Sequence, residues 1–372
     1  MMTSNIKKLL LFLKKKKYNK IFIITGLNSF KNFRSNKLFS KYIKNKSYFI
    51  YYKKNQNFPD YRDLIALKKL VNKFNPDLIL AVGGGVVIDY AKLINVFYKV
   101  KNIKKTILKK NFKPQEKKCE LVAIPTTAGS GSEATKFAVI YVNNNKFSIE
   151  HDFIKPDFTF LMPGLLLSVP INIRASSGFD AFAQAIESMI SIRSTNLSLK
   201  FSVQALKLIV RSYLNYVNSP NLKNSLDMIR ASNFSGKAIN VSKTTGPHAI
   251  SYPFTVLFGL SHGHAVSINF SKFILFNYLN RHKSKTRFLL NNRYKVIFRL
   301  TKSNNIYNLY NFINRLIMKS GLTVNYKKLK IDIFKEYKKI ISLINLERLS
   351  NNPVKVSDID LKNILTSDNF FI

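Results

Sequence analysis

The chain has 372 residues, with 61 Lys and Arg against 19 Asp and Glu, a formal charge of +42, and 46% of its residues are hydrophobic. At roughly 100–200 residues per domain this is a two-domain length with ample material for a core, and the hydrophobic share excludes a disordered basic tail. A single cysteine, Cys119, excludes an internal disulfide and a cysteine-rich zinc motif, which fits a reducing, cytoplasmic setting.

At the N-terminus, Ile6–Lys17 carries the apolar run Leu9-Leu10-Leu11-Phe12-Leu13, which is too short for a signal peptide and is followed by four lysines. No other run approaches the roughly 18–20 apolar residues a membrane helix needs, so a soluble chain with no membrane partner is expected. From Lys20 to about Asp157, short β-branched apolar runs alternate with longer polar-apolar segments, the pattern of strand-helix-strand units around a parallel sheet. Strands are expected at Lys20–Thr25, Tyr48–Tyr52, Leu78–Val82, Leu121–Ile124 and Ala138–Val142, with helices at Tyr61–Phe74 and Ile88–Tyr98. Past Pro170 the apolar period becomes three and four: Ser176–Ile190 carries Phe179, Phe182, Ala183, Ile186 and Met189 on one stripe, and Phe201–Tyr216 repeats the pattern. The fold class is therefore α/β plus all-α, with a parallel-sheet domain over residues 1–168 and a helical domain over 169–372. The stretch from Asn277 to Lys330 reads as a helix-loop-helix with a weak core, and there is no internal repeat.

The basic excess has two readings. Lysines are spread through every region among Asn, Ile, Phe and Tyr, with no Trp, which is the residue mix of an AT-rich genome; the other reading is a field that attracts phosphates. The even spread favours the first and makes a nucleic-acid partner the weaker expectation.

Gly83-Gly84-Gly85 follows an apolar strand and opens a helix, with Asp89 and Lys92 one and two turns inside it. Such a turn either holds a phosphate on the helix N-terminus or is a plain tight turn. Pro125-Thr126-Thr127-Ala128-Gly129-Ser130-Gly131-Ser132-Glu133 follows a second strand; its hydroxyls and glycines suit phosphates or ribose, or else form a helix cap closed by Glu133. Two such loops in one sheet favour a ligand site, because ligands collect at the carboxyl ends of parallel strands. Farther on, Asp180 and Gln184 share a helix face, and His248, His262 and His264 place three of five histidines within 17 positions. Asp, His and His with an amide oxygen make a divalent-metal set; a His-Gly-His run is equally a capped helix end.

In order and spacing, Gly83–Lys92, Pro125–Glu133, Gly178–Gln184 and the interval from His248 to His262 resemble the iron-containing alcohol dehydrogenase family, over about Lys20 to Pro353. The resemblance implies a Rossmann-like nucleotide-binding domain at 1–168 and a helical metal-binding domain at 169–372, with the active site in the cleft between them and a homodimeric assembly. It implies a metal, Fe2+ or Zn2+, held by Asp180, His248 and His262, with Gln184 where the family carries a histidine. It implies NADPH or NADH bound by Gly26, Gly83, Gly84, Gly85, Val86, Val87, Asp89, Thr126, Thr127, Ser130 and Lys146, and Gly26 stands where NAD-preferring members can carry aspartate. Tyr252 replaces a catalytically implicated histidine and either passes a proton or walls the pocket, and His264 is a candidate proton relay.

Asp180–Ser188, Lys243–Pro253, His262-Gly-His264-Ala-Val and Glu347–Pro353 look like the branch of that family that reduces phosphonoacetaldehyde. For a phosphonate, Lys243 is the first cationic candidate, with Arg174 and Lys136 behind it. The expected activity is thus NAD(P)H-linked reduction of a small aldehyde, with the metal as Lewis acid. The alternatives are another small aldehyde or alcohol as substrate, a catalytically decayed scaffold, a nucleic-acid-binding protein, and a lyase of the dehydroquinate synthase type, whose usual metal-binding glutamate has no match here.

Overall fold

The computed structural model describes residues 2–34, 36–53, 58–109, 112–143 and 145–367. The chain divides into two compact units, Met1–Val169 with Pro220–Ile229, and Pro170–Ser219 with Arg230–Ile372.

In chain order the first unit holds α1 (Met2–Lys16), β1 (Lys20–Thr25), α2 (Leu27–Arg34), α3 (Lys37–Lys44), β2 (Ser47–Tyr52), α4 (Tyr61–Phe74), β3 (Leu78–Gly83), α5 (Gly85–Phe97), α6 (Ile103–Lys109), β4 (Glu120–Pro125), β5 (Phe137–Val142), β6 (Asn145–Glu150) and β7 (Phe158–Thr159). Five strands form one sheet in the order β2-β1-β3-β4-β7, and every pair in it is parallel. A parallel sheet is covered on both faces, so its central strands are apolar throughout; every residue of β3 is buried, as are five of the six in β1 and in β4. Tyr61–Phe74 is helical between the expected ends, begun by the Asp60 carboxylate on the Arg62 N–H and stopped by Asn75 in left-handed backbone at φ 53. The run at Leu9–Leu13 lies in α1, which buries Ile6, Leu9, Leu10 and Leu13.

The strand expected at Ala138–Val142 exists but lies outside the parallel sheet. It forms an antiparallel two-stranded sheet with β6, Phe137 opposite Glu150 and Val142 opposite Asn145. Its alternation is that of a hairpin arm with one face inward, and Asn143, at φ 49, lies in the connection.

The second unit is helical: α7 (Ile171–Ile190), α8 (Asn196–Asn218), α9 (Leu222–Ser242), α10 (Gly246–Phe258), α11 (His262–Leu279), α12 (Leu290–Thr301), α13 (Ile306–Lys319), α14 (Ile333–Ser342), α15 (Leu346–Leu349) and α16 (Asp358–Thr366). The early turns of α9 group with the first unit. α7 packs against α8 and α11, and α11 also against α10. α7 starts five residues before the expected Ser176, directly after Pro170. The expected weak core between Asn277 and Lys330 is corrected. Leu290, Tyr294 and Ile297 on α12 and Leu309, Ile313 and Ile317 on α13 are all at most 3% exposed, and each fully buried aliphatic side chain is worth about 1.5–3 kcal/mol. The asparagines and lysines of that stretch mostly occupy the outer faces. Among the described residues no helix is long and apolar enough to cross a membrane.

Candidate functional site

α7 carries Asp180, Gln184 and Glu187 at spacings of four and three, so all three project from one face. All three are buried, at 4%, 3% and 0% exposure. α10 brings His248 to that face, and α11 begins at His262. One ligand atom each of Asp180, His248 and His262 lies within 4.8 Å of the others, and His248 Nε2 is 3.1 Å from Asp180 Oδ1. Gln184 Oε1 is buried without a hydrogen-bond partner. An orphaned buried acceptor costs about 1–3 kcal/mol, and a cation removes that cost where two imidazoles and a carboxylate already converge. The donor set therefore fits a divalent metal of borderline softness.

Glu187 takes a part that the sequence reading missed. Its Oε2 pairs with His248 Nδ1, while Oε1 accepts from the Thr245 hydroxyl at 2.9 Å, the Thr245 N–H at 3.2 Å and the His248 N–H at 3.3 Å. Burial works against a charge on His248, but Glu187 and Asp180 together outweigh it and bring its pKa up to about 9. The carboxylate takes Nδ1, and Nε2 is the nitrogen turned to Asp180, the arrangement of a carboxylate-oriented metal-binding histidine. The available signal was its spacing: Glu187 stands seven residues after Asp180, two turns along the same face.

Two glycines set the distance between these helices. A Cβ on Gly263 would sit 1.9 Å from the Ser176 carbonyl oxygen, so α11 approaches α7 backbone to backbone. On Gly246, at the start of α10, it would meet the Phe273 ring at 2.3 Å. Ser176 Oγ also accepts from the Ser261 hydroxyl at 2.8 Å and the His264 N–H at 3.2 Å, fixing the start of α11.

Of the other expected residues, Tyr252 lies with its ring stacked on that of His262, centroids 6.1 Å apart and planes at 25°. Burial raises its pKa against the opposing Arg348, so the phenol keeps its proton at neutral pH. His264 is outside the donor group: its Nε2 donates to the Thr323 carbonyl at 2.8 Å. Lys243 closes α9 in left-handed backbone at φ 61 with its side chain buried. The two reserve cations are engaged elsewhere. Arg174 donates through Nε and a terminal nitrogen to the Val217 carbonyl at 3.0 and 2.7 Å, and Lys136 pairs with Asp152 at 3.4 Å and Glu150 at 3.9 Å.

In the first unit the two glycine- and hydroxyl-rich loops adjoin. The Thr126 N–H donates to the Gly83 carbonyl at 3.0 Å, and the Thr126 and Ser29 hydroxyls are 3.1 Å apart. A Cβ on Gly84 would come to 3.1 Å from Thr127 Oγ1, and one on Gly85 to 2.7 Å from Ser130 Oγ. On Gly83 it would meet the buried Val87 at 2.6 Å, and Val86 lies in the first turn of α5. The glycines are therefore needed for the contact of loop with loop and strand with helix. The second loop leads to a single 3-10 turn, Ser132–Ala134, and then to β5, so Glu133 closes no α-helix. Asp89 accepts from the Ser132 hydroxyl at 2.6 Å and the Val139 N–H at 3.1 Å, and Lys146 is within electrostatic reach of it. Lys92 is fully buried and donates to Ser132 Oγ, Thr135 Oγ1 and the Phe137 carbonyl at 3.1, 2.9 and 2.7 Å; burial lowers its pKa to about 8. A Cβ on Gly26 would find only Ser29 Oγ at 3.7 Å, an ordinary contact.

Two family models match the chain: "Iron-containing alcohol dehydrogenase" over residues 3–163 and "Fe-containing alcohol dehydrogenase family, C-terminal" over residues 174–368. The chain is 32% identical over 225 residues to the phosphonoacetaldehyde reductase of Streptomyces viridochromogenes, covering 57% of this chain and 56% of that protein. It is 32% identical over 202 residues to long-chain-alcohol dehydrogenase 1 of Geobacillus thermodenitrificans, covering 52% and 49%. The chain thus spans about half the length of the curated relatives it matches. Among solved structures, the sulfoacetaldehyde reductase of Bifidobacterium kashiwanohense in complex with NAD+ superimposes with a TM-score of 0.86 at 24% identity, covering 97% of this chain and 95% of that one. That likeness shows a shared fold.

Proposed function

Because the chain belongs to the iron-containing alcohol dehydrogenase family, we propose that it is a metal-dependent, NAD(P)H-linked reductase of a small aldehyde, converting phosphonoacetaldehyde to 2-hydroxyethylphosphonate. The convergence of Asp180, His248 and His262 within 4.8 Å carries this reading. These three would hold Fe2+ or Zn2+, with Gln184 Oε1 as the fourth donor, and the Gly83–Gly85 and Thr126–Ser130 loops would hold the nucleotide. When bound, the metal supplies Lewis acidity at a carbonyl oxygen and the nicotinamide supplies hydride to its carbon.

The chain's own residues do the rest. Glu187 holds His248 through Nδ1 and leaves Nε2 to the donor group. Tyr252, beside His262 and protonated by its burial, keeps a proton at its hydroxyl for the developing alcohol. An amide oxygen at position 184 in place of imidazole is a weaker ligand, which lowers metal affinity and raises electrophilicity. The phosphonate as substrate is supported by the motifs around Asp180, His248 and Pro353 and by the relative from Streptomyces.

The test joins elemental analysis of the purified protein with NAD(P)H oxidation against phosphonoacetaldehyde and a neutral aldehyde of the same length. Stoichiometric Fe or Zn, a rate abolished by chelation and a preference for the phosphonate are expected. A chelator-resistant rate in metal-free protein overturns the reading; equal rates on both aldehydes reject the phosphonate and keep the family.

A further inference from the structure

A two-carbon aldehyde ending in a phosphonate brings up to two negative charges to a site whose resident side chains, Asp180 and Glu187, are themselves acidic. Some fixed cation must receive that end. Arg174 and Lys136 are committed to Val217 and to Asp152 and Glu150, and Lys243 is buried at the end of α9.

Arg348 is placed differently. It lies on α15, a short helix anchored on both sides. The Asn345 N–H donates to the Ala249 carbonyl at 3.3 Å, on the turn of α10 that follows His248. The Asn351 amide donates to the Ser242 and Thr244 carbonyls at 2.9 and 2.8 Å, in the turn leading into α10. The Arg348 N–H is itself held by Asn345 Oδ1 at 2.8 Å. From this fixed backbone the guanidinium reaches the hydroxyl of Tyr252, whose ring stacks on His262. The residue is partly exposed. The sequence Glu347–Pro353 thereby acquires a physical meaning: Asn345 and Asn351 clamp the helix, and Arg348 is what it presents.

Resting on the function proposed above, we propose that Arg348 is the specificity-determining residue that binds the anionic end of the aldehyde, its planar fork accepting a tetrahedral oxyanion beside the Tyr252 hydroxyl while the carbonyl lies toward the Asp180–His248–His262 group. A guanidinium suits this better than an ammonium, because two parallel N–H donors fix the orientation of the oxyanion as well as its charge.

The experiment uses the full chain loaded with metal and compares wild type with Arg348→Met and Arg348→Lys. The ratio of kcat/KM for phosphonoacetaldehyde to that for a neutral aldehyde of equal length is expected to fall about tenfold or more in Arg348→Met, mainly through KM, with Arg348→Lys in between. In calorimetric titration, 2-hydroxyethylphosphonate is expected to bind Arg348→Met at least about tenfold more weakly. A ratio unchanged within twofold, or equal loss on both aldehydes, overturns the assignment. Should wild type turn over neither aldehyde, the proposed function fails while the titration still decides Arg348: weaker binding by the Met variant supports it, and equal or absent binding overturns it.

Discussion

At the scale of single residues the second unit is unusual for the charge it hides. Glu187 is 0% exposed, and a buried carboxylate is tolerated only when paired and hydrogen-bonded. Four contacts from Thr245 and His248 supply that. Removing the carboxylate entirely leaves several donors bare at about 1–3 kcal/mol each, so Glu187→Ala is expected to lose stability as well as metal. Glu187→Gln is the sharper test, since it keeps shape and an acceptor for Thr245 but removes the charge that orients and strengthens His248. Competition with a chromophoric chelator should show metal affinity lower by about 10–100-fold, with an unchanged circular dichroism spectrum. Affinity within threefold of wild type would assign Glu187 to packing alone.

At the scale of elements, the site depends on how closely helices approach. Gly263 lets α11 reach α7 with 1.9 Å between its would-be Cβ and the Ser176 carbonyl. Backbone cannot yield as a flexible side chain can. Gly263→Ala is therefore expected to push the start of α11 outward, costing about 1–3 kcal/mol in denaturant unfolding and withdrawing His262 from Asp180. Equilibrium dialysis should then show lost metal binding even at temperatures where the variant stays folded; retained binding would mean that the close approach of the two helices is not what sets the donor group. The same scale explains what was legible in the sequence. Periodicity found α4, four of the five parallel strands and the stripe of α7, because each is recorded in neighbouring residues; β7, at two residues, is too short to carry a pattern. The family resemblance singled out Asp180, His248 and His262, and the fold brings the three together. The hairpin of β5 and β6 escaped because an inward-facing hairpin arm and a parallel strand look alike over six residues, although the asparagine run after Val142 was a turn signal. Glu187 and Gly263 escaped because their contacts join segments distant along the chain.

For the whole molecule, charge outweighs every other feature of the composition. With 61 basic and 19 acidic side chains, 61 − 19 leaves 42 cations unmatched even if every carboxylate is paired. The ion pairs Lys16–Glu120, Lys99–Glu116 and Lys117–Asp157 are partly solvated, and such pairs contribute about 0–1 kcal/mol and weaken in salt. The unmatched cations repel one another over the whole surface, and that repulsion opposes the compact state. Added salt screens both effects, with a Debye length of about 8 Å at physiological ionic strength against about 30 Å at 0.01 M. Attraction is limited to at most 19 carboxylates, so relief of repulsion wins. The thermal midpoint is expected to rise from low salt to about 0.15 M sodium chloride and then level off as the Debye length falls below the spacing between lysines. A midpoint that falls with salt would mean that paired charges, despite their number, hold the fold together. Titrating duplex DNA in the same salt series separates the two readings of the basic surface: a dispersed coding bias gives binding that disappears near 0.15 M, whereas a built nucleic-acid face retains it there, with a steep linear dependence of log affinity on log salt.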